Sequence, residues 1–397
     1  MDTLIRYLLL FRFSAWPGKQ GIARPTARHF LVSFLMLLGL PLLLIYHAIG
    51  FALDELLFRG YRREPIEQPL FVLGPPRSGT TTVHEALAED SRYTTFSTWE
   101  CLFGLSVTWR RFWMAVGRVD QRIGRPLGRL ADTVTRWVAG GFDDIHPVDL
   151  KAPEEDYFAL LPQLWCFLLI VPFPDAPWLW RWGRFDEALT PKEKERIMAS
   201  YRRAIQRHLH ANPGKRYLAK NAAFAPLVHS LLETFPDARV VCCMRAPRAA
   251  LSSQLSCLHP SLESFHGAYD RKRFGERMTG LYGFYYRNLL DGLTQPGQHR
   301  VAFLPLPALA SLDRAIRDCC ALLGIDVTPE HRERLVLRSQ RLGPWRSGHQ
   351  HDPATLPVRS ELVDAAFEGL DQRFDFHGDR VQGLQVEQDE LARVAGL

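Results

Sequence analysis

The chain has 397 residues, which is enough for one large α/β domain with additions or for two modest domains. Its composition, 47% hydrophobic and 23% charged, is that of an ordinary globular protein without low-complexity tracts or internal repeats. The net charge of +6 and the isoelectric point of about 9.0 favour an anionic ligand or an anionic membrane surface. Basic residues form only short clusters and no aromatic-basic stacking ladder stands out, so no nucleic-acid partner is expected.

The seven cysteines indicate a reducing compartment. Their number is odd, no C-x-x-C motif occurs, and adjacent pairs such as Cys242 and Cys243 cannot easily bridge to each other. A disulfide framework or a zinc site is therefore not indicated, and no metal-binding residues are predicted.

The N-terminal region contains a long apolar segment. Residues 30–50 (Phe30 to Gly50) include no Asp, Glu, Lys or Arg, and a helix over them would be roughly 30 Å long, enough to cross a bilayer. Pro41 could kink this helix or make it re-entrant. Upstream, residues 2–13 have the pattern of an interfacial helix. A membrane-associated helix is the favoured interpretation; a core helix docked on the soluble domain is the alternative.

A strand, a tight turn and a helix follow in close succession. The apolar run 70–73 leads into Gly74-Pro-Pro-Arg-Ser-Gly-Thr-Thr81 and then into a short helix that ends near Asp90. Backbone N–H groups of such a turn and the positive end of the helix dipole form an anion cradle. The spacing resembles the phosphate loop of nucleoside triphosphatases, but Thr80 replaces the required Lys and the cation is Arg77. The loop therefore suits a nucleotide with a short 5′ chain better than ATP.

Further strands are predicted at 216–219, 239–244 and 300–304, while 100–140 and 154–171 are predicted to be helical. The alternation of strands and helices predicts an α/β fold, a P-loop-like parallel sheet flanked by helices. Lys220 and Arg245 directly follow two of these strands, as Arg77 follows the first. Ligands of parallel sheets bind at the carboxyl ends of the strands, so we expect the three cations to converge on one anionic ligand.

Arg245 stands where a phosphate-loop NTPase has a metal-binding Asp. An arginine contacts phosphate directly and cannot bind a metal. Ser253, eight residues further on, is predicted to lie one to two turns into the next helix, so Arg245 and Ser253 could grip one phosphate from two sides. A 5′ cradle with a separate phosphate clamp describes a nucleotide phosphorylated at two ribose positions.

These motifs resemble those of the sulfotransferases that use 3′-phosphoadenosine-5′-phosphosulfate (PAPS). Pro76-Arg-Ser-Gly-Thr-Thr81 is similar to their 5′-phosphosulfate loop, and Arg245-x7-Ser253 to their 3′-phosphate clamp. The resemblance is strongest to a bacterial branch with a hydrophobic N-terminus. It implies PAPS as co-substrate, no metal, an anchor region at 1–60 and a sulfotransferase domain at 61–397. The cofactor-binding residues that it implies are Arg77, Ser78, Gly79, Thr80, Thr81, Arg245 and Ser253.

The resemblance also implies roles for residues outside the two motifs. Lys220 matches a lysine that would neutralise sulfuryl or phosphate oxygens, and Arg77 would stabilise the leaving phosphate oxygen. The glycine motif that cytosolic members have near the C-terminus is missing; Gly343-Pro-Trp-Arg-Ser-Gly-His349 stands there, and Arg346 and Ser347 are its candidate donor contacts.

Sulfuryl transfer to a hydroxyl or amine also requires a base for the acceptor proton. Glu100 is the first candidate, because it resembles the glutamate base of related sulfotransferases, and His146 is the second. Glu154 and Glu155 are competitors, although acidic residues at that position also suit the first turn of a helix.

The hydrophobic N-terminus and the apolar stretch 160–180 suggest a lipid or other amphiphile as acceptor. Because bacteria make this donor in the cytosol, the family resemblance places the active site on the cytoplasmic face. Two other functions remain open. A small-molecule kinase would need the missing Lys and a metal carboxylate, and a catalytically silent, membrane-anchored protein would bind nucleotide without turnover.

Overall fold

The structure is a computed structural model that describes residues 3–15, 21–24, 26–139, 150, 152–295, 300–342 and 356–383. Its α-helices are α1 Thr3–Ala15, α2 Ala27–Leu57, α3 Thr80–Ala88, α4 Thr98–Phe103, α5 Val107–Arg122, α6 Pro126–Ala139, α7 Pro177–Trp182, α8 Phe185–Ala188, α9 Pro191–His210, α10 Val228–Thr234, α11 Pro247–His266, α12 Arg271–Leu293, α13 Leu312–Leu323, α14 Pro329–Leu342, α15 Ser360–Phe367 and α16 Leu370–Arg373. The strands are β1 Leu70–Leu73, β2 Tyr93–Thr94, β3 Arg216–Asn221, β4 Arg239–Met244, β5 Arg300–Pro305 and β6 Gln382–Gly383. Short 3₁₀ turns cover Arg59–Arg63, Asp156–Gln163, Phe167–Ile170, Ala222–Leu227 and Leu306–Ser311.

The described strands form one sheet in the order β2-β3-β1-β4-β5-β6. Neighbouring strands run parallel except for β6, which pairs antiparallel with β5. β1 lies between β3 and β4, with Leu73 level with Asn221 and Cys242. The carboxyl ends of the three strands that precede Arg77, Lys220 and Arg245 are therefore adjacent, which confirms the predicted α/β fold with a parallel-rich sheet.

Helices cover both faces of the sheet, and β1 shows why its sequence is apolar throughout. Phe71 and Leu73 pack into the larger core cluster, whereas Leu70 and Val72 point into a smaller cluster on the other face. Successive side chains of a strand point to opposite faces, so a strand buried on both sides reads as a continuous hydrophobic run.

The segment 154–171 differs from the predicted helix. It forms two short 3₁₀ turns, with Pro162 inside the first and Leu164 after it in the left-handed region at φ 58°. A proline cannot supply a helical N–H, and a left-handed residue ends a helix. The aromatic residues that follow, such as Trp165 and Trp182, are buried in the larger core, so this apolar stretch does not form an acceptor surface.

The hydrophobic N-terminal segment forms α2, a continuous helix despite Pro41 within it. Within the described part of the chain, α2 is the one helix whose length and mean hydropathy of 2.2 would suffice to cross a membrane. Only 22% of its most apolar stretch is buried inside the protein. The helix is capped at its start by Thr26, whose hydroxyl accepts a hydrogen bond from the His29 N–H.

Candidate functional site

The loop between β1 and α3 has the backbone conformation of an anion cradle. Gly79 caps α3 at φ 87°, and Gly74 leaves β1 at φ 149°. Arg77 is also at positive φ, 71°, which is strained for a residue with a side chain. Such strain persists where surrounding contacts hold it, and it is concentrated at functional sites. The first N–H groups of α3 are therefore presented towards the carboxyl edge of the sheet.

Gly74 allows the loop to pass directly over β4. A Cβ added at this position would lie 2.2 Å from the carbonyl oxygen of Cys243, well inside van der Waals contact. The neighbouring atom belongs to the backbone of a central strand, so it cannot move aside without disturbing the sheet. The glycine is required both by the close approach and by the dihedral angle.

Gly74→Ala should therefore destabilise the protein by about 2 to 5 kcal/mol, the combined cost of overpacking and backbone strain. Chemical denaturation followed by circular dichroism measures this directly. Gly280→Ala is the matched control, because Gly280 lies on α12 with open space around its Cβ position. That variant should be stabilised by up to about 1 kcal/mol. Equal stability of the two variants would contradict this account of the loop.

The structure brings Arg77, Arg245 and Ser253 together. The Arg77 Nε donates to the Ser253 hydroxyl at 3.2 Å, and the Arg245 Nη1 donates to the Arg77 carbonyl at 3.0 Å. Ser253 is fully buried in the second turn of α11. Burial lowers the pKa of Arg245, and the nearby positive charge of Arg77 acts in the same direction. Two guanidinium groups held this close prefer an anion between or beside them.

Two tyrosines of α12 hold the Arg77 loop and the Arg245 segment in place through hydrogen bonds to their backbones. The Tyr282 hydroxyl donates to the Pro76 carbonyl at 3.2 Å, and the Tyr286 hydroxyl donates to the Arg245 carbonyl at 2.5 Å. Both tyrosines are buried, so their hydroxyls fix the loop and the start of α11 relative to each other. Tyr282 lies more than 200 residues from Pro76, and Tyr286 more than 40 residues from Arg245. Because neither tyrosine belongs to a local motif, neither could be found from the sequence.

Lys220 marks the other side of the loop. Its ammonium donates to the Thr81 hydroxyl at 3.3 Å and forms an ion pair with the Glu155 carboxylate at 3.3 Å. The lysine is almost fully buried, whereas Glu155 retains some solvent exposure. His84, one turn further along α3, has its pKa held well below the usual value by burial and by the charge of Lys220. A cation, a hydroxyl and a carboxylate thus meet at the start of α3.

The segment that carries Glu155 is fixed by its neighbours. Glu155 forms a β-bridge to Lys220, and the adjacent Glu154 accepts a hydrogen bond from the Thr98 hydroxyl at 3.1 Å. Asp156 is fully buried and accepts from the hydroxyl of Tyr201 at 2.5 Å; burial raises its pKa to about 7. Glu155 is therefore placed by the backbone, and its carboxylate is directed to Lys220.

Glu100, the first sequence candidate for a base, has other partners. It caps α4, where its Oε2 accepts from the Ser97 N–H at 2.9 Å, and its Oε1 forms an ion pair with Arg110. The side chain is buried at this position. The structure shows no contact between Glu100 and the loop or Lys220. His146, Arg346 and Ser347 lie outside the described residues.

Among the residues that the structure describes, no group of three or more His, Cys, Asp and Glu side chains could hold a metal ion. Ser78 and Thr80, which are predicted to bind the donor, both lie in or next to the loop. Ser78 is buried with its hydroxyl donating to the Pro75 carbonyl at 2.7 Å, and Thr80 begins α3. Both residues shape the loop and contribute backbone N–H groups to the cradle.

The chain is an α/β protein whose P-loop-like sheet carries cationic side chains at three adjacent strand ends. The Sulfotransferase family model matches residues 69–329, so the chain belongs to this family. It is 26% identical over 243 residues to "Omega-hydroxy-beta-dihydromenaquinone-9 sulfotransferase Stf3" of Mycobacterium bovis and to the same-named protein of Mycobacterium tuberculosis. Each match covers 57% of this chain and 54% of the relative, so the chain spans about half the length of these curated relatives.

Solved structures show the same fold. Sulfotransferase STF1 from Mycobacterium tuberculosis superimposes with a TM-score of 0.69 at 19% identity, covering 92% of both chains. Sulfotransferase STF9 from Mycobacterium avium gives a TM-score of 0.71 at 16% identity, covering 96% of this chain and 98% of that one. At these identities the likeness to solved structures establishes the fold, and the family match establishes that the chain belongs to the sulfotransferase family.

Proposed function

We propose that this sulfotransferase moves the sulfuryl group of PAPS to a hydroxyl of a membrane-resident, lipid-like acceptor. The observation that carries the donor assignment is the contact of Arg77 with Ser253 and Arg245 on one side of the loop. On the other side, Lys220 contacts Thr81. Two separate cationic positions flanking one cradle suit a nucleotide with phosphates at both the 3′ and 5′ positions.

In this proposal Arg245 and Ser253 bind the 3′-phosphate, and the loop from Arg77 to Thr81 binds the 5′-phosphosulfate. The acceptor oxygen attacks sulfur in line with the bond to the 5′-phosphate. A new O–S bond forms as the S–O bond to the phosphate breaks, and its electron pair stays on the phosphate oxygen. Arg77 and Lys220 stabilise the negative charge that develops on the departing bisphosphate.

The acceptor proton passes to a base, and the geometry favours Glu155 over Glu100. Glu155 is partly exposed beside Lys220 and the start of α3. Glu100 is buried in an ion pair with Arg110 and in the cap of α4. A general base must reach the proton that it removes, so a partly exposed carboxylate at the cradle is the better placed of the two. Glu100 and His146 remain alternatives that the experiments below separate.

The acceptor class follows from two features. The similar mycobacterial proteins bear the name of a sulfotransferase for a hydroxylated dihydromenaquinone, which is a lipid-soluble quinone. This chain also carries the apolar helix α2, of which only a minor part is buried. We assign residues 1–60 to membrane attachment and 61–397 to the transfer reaction, with the active site on the cytoplasmic face where PAPS is made.

The test is a sulfate-transfer assay with ³⁵S-labelled PAPS against a total bacterial lipid extract, read by thin-layer chromatography and mass spectrometry. We expect a sulfated lipid product and no requirement for Mg²⁺. Soluble phenols serve as the control acceptors; sulfation of these alone would overturn the lipid assignment. Phosphorylation of an acceptor from ATP and Mg²⁺, without sulfation, would instead support a kinase. Binding of adenosine 3′,5′-bisphosphate without any turnover would support a catalytically silent protein.

A further inference from the structure

The helix α2 is attached to the rest of the protein along its whole length. Near its start, the Nδ1 atoms of His29 and His266 lie 2.9 Å apart. In its middle, the Tyr46 hydroxyl donates to the Phe103 carbonyl at 2.7 Å. Near its end, Asp54 forms a buried ion pair with Arg207 at 2.9 Å. A helix of 31 residues is about 46 Å long, so these contacts span most of it.

These contacts are incompatible with a helix that crosses a bilayer. Polar atoms at His29, Tyr46 and Asp54 all bond to the α/β domain, so all three levels of the helix lie against protein. If α2 spanned the membrane in this structure, the domain surface beside it would have to enter the hydrocarbon core too. Burying charged and polar domain surface in lipid is prohibitively costly.

The opposite side of α2 is apolar and exposed. Large side chains there, such as Leu31, Phe34, Leu38, Leu42 and Ile45, are each more than half exposed. The neighbouring helix α1 is joined to α2 by the Tyr7 hydroxyl, which donates to the Leu37 carbonyl at 2.7 Å. Helix α1 also exposes large apolar side chains. A large exposed apolar patch on a protein surface marks an interaction site.

A helical hairpin of α5 and α6 extends this surface. The Trp113 indole N–H donates to the Tyr46 hydroxyl at 2.7 Å, which links the hairpin to the middle of α2. The hairpin exposes Trp113, Met114, Ile123 and Leu127 along its length. Tryptophan and tyrosine side by side are typical of the headgroup level of a membrane, where an apolar ring and a polar tip are both satisfied.

The charges of this hairpin determine which partner fits. Residues 107–133 contain six arginines and two aspartates. Asp120 is buried, where it caps α6 by accepting from the Leu127 N–H, and Asp132 pairs with Arg125. Arg110 is buried against Glu100, and the remaining, exposed arginines give the hairpin a net positive charge among its exposed apolar side chains. Apolar anchors flanked by arginine are the signature of an interfacial element that binds anionic lipid.

We propose that α1, the exposed side of α2 and the α5–α6 hairpin form one docking face that lies flat on an anionic bilayer, so that the protein is monotopic and α2 does not cross the membrane. This deepens the proposed function and rests on it for the acceptor. Helix α4 connects the two regions: Thr98 at its start contacts Glu154, and the Phe103 ring at its end lies 6.3 Å from that of Trp113. A helix of this length spans only about 9 Å, so a lipid acceptor could reach the cradle from the membrane surface.

The test uses the full-length protein and vesicles of phosphatidylcholine with about 30 mol% phosphatidylglycerol, a phospholipid that gives the vesicle surface a negative charge. The triple variant Phe34→Glu, Leu38→Glu, Ile45→Glu should bind these vesicles at least tenfold more weakly than the wild-type protein in a sedimentation assay. The control, Leu337→Glu, alters an equally exposed leucine on α14 and should bind as the wild type does. Wild-type binding should weaken with added salt and with phosphatidylcholine alone.

A topology measurement decides the question even if the triple variant fails to fold. Cysteines are introduced singly at the exposed positions Arg28 and Arg59, at the start and just beyond the end of α2, in a Cys257→Ser background that removes the one native cysteine that is not buried. Both should react with a membrane-impermeant maleimide added outside sealed vesicles to which the protein has bound. Protection of one position would show that α2 spans the bilayer and would overturn the proposal.

Three further outcomes are informative, the first two because membrane binding does not depend on sulfate transfer. If the triple variant loses vesicle binding but still turns over a detergent-dispersed acceptor, the docking face is supported separately from the chemistry. If the wild-type protein binds vesicles but sulfates no lipid, the docking face stands and the lipid acceptor is wrong. A stable dimer in solution that the triple variant abolishes, without vesicle binding by the wild type, would assign the face to a second copy of the chain.

Discussion

Arg245→Ala is expected to weaken the binding of adenosine 3′,5′-bisphosphate by about 10- to 100-fold, which corresponds to about 1.5–3 kcal/mol. The wild-type guanidinium lies at the carboxyl end of β4, beside Arg77 and Ser253. Removing it deletes a charge-assisted phosphate contact and also the hydrogen bond that Arg245 donates to the Arg77 carbonyl. Isothermal titration calorimetry with the bisphosphate measures the loss without any need for a known acceptor.

The control for this prediction lies three residues further along the chain. Arg248 is partly exposed in the first turn of α11, where it pairs with Asp364, and Arg248→Ala should leave bisphosphate affinity within about twofold. The comparison separates a local clamp from the general positive charge of the protein. Equal losses in the two variants, or unchanged affinity in Arg245→Ala, would reject the assignment of Arg245 to the 3′-phosphate.

The parts of the site that could be predicted from the sequence are those coded by short, local patterns. A buried strand followed by Gly74, Gly79 and a helix predicts the cradle, because only a glycine can meet Cys243 so closely or take the φ that the cap requires. Arg77, Lys220 and Arg245 each follow a strand directly, and parallel strands bring their carboxyl ends to one edge. Their proximity therefore follows from the topology alone.

Features that depend on packing between distant segments could not be predicted in the same way. The strands β2 and β6 contain two residues each and have no pattern of their own. The position of Glu155 depends on a β-bridge to Lys220, 65 residues further along the chain. The two 3₁₀ turns after Glu155 replace a predicted helix. Pro162, inside the first turn, is the local feature that disfavours a continuous helix there.

The docking of α2 did leave a signal in the sequence. His29, Ser33, His47 and Asp54 are its buried polar residues, and they interrupt an otherwise apolar segment at positions that face the domain. A helix that spans a membrane gains nothing from such residues on a lipid-facing side. Their presence, together with exposed leucines and phenylalanines between them, indicates a helix whose polar side binds protein. Hydropathy averaged over a window hides this division.

The second large effect is expected for the base. Glu155→Gln should lower kcat by about 10²- to 10⁴-fold, because glutamine cannot accept the acceptor proton. Affinity for the bisphosphate should change by less than about threefold, since the amide oxygen can still accept a hydrogen bond from Lys220.

Two matched variants determine whether the effect belongs to Glu155. Glu154→Gln alters the adjacent carboxylate, which accepts from Thr98 and does not contact Lys220, and it should retain kcat within about tenfold. Glu100→Gln removes the charge that pairs with Arg110 in a buried site, so it should lower stability by about 3 to 5 kcal/mol. The folded fraction of that variant should still turn over. If instead Glu100→Gln folds normally and loses turnover while Glu155→Gln does not, then Glu100 is the base and Glu155 only positions Lys220. Both carboxylates form ion pairs, but the Glu155 side chain is 16% exposed beside Lys220 whereas that of Glu100 is 6% exposed, and proton transfer to substrate requires the more accessible one.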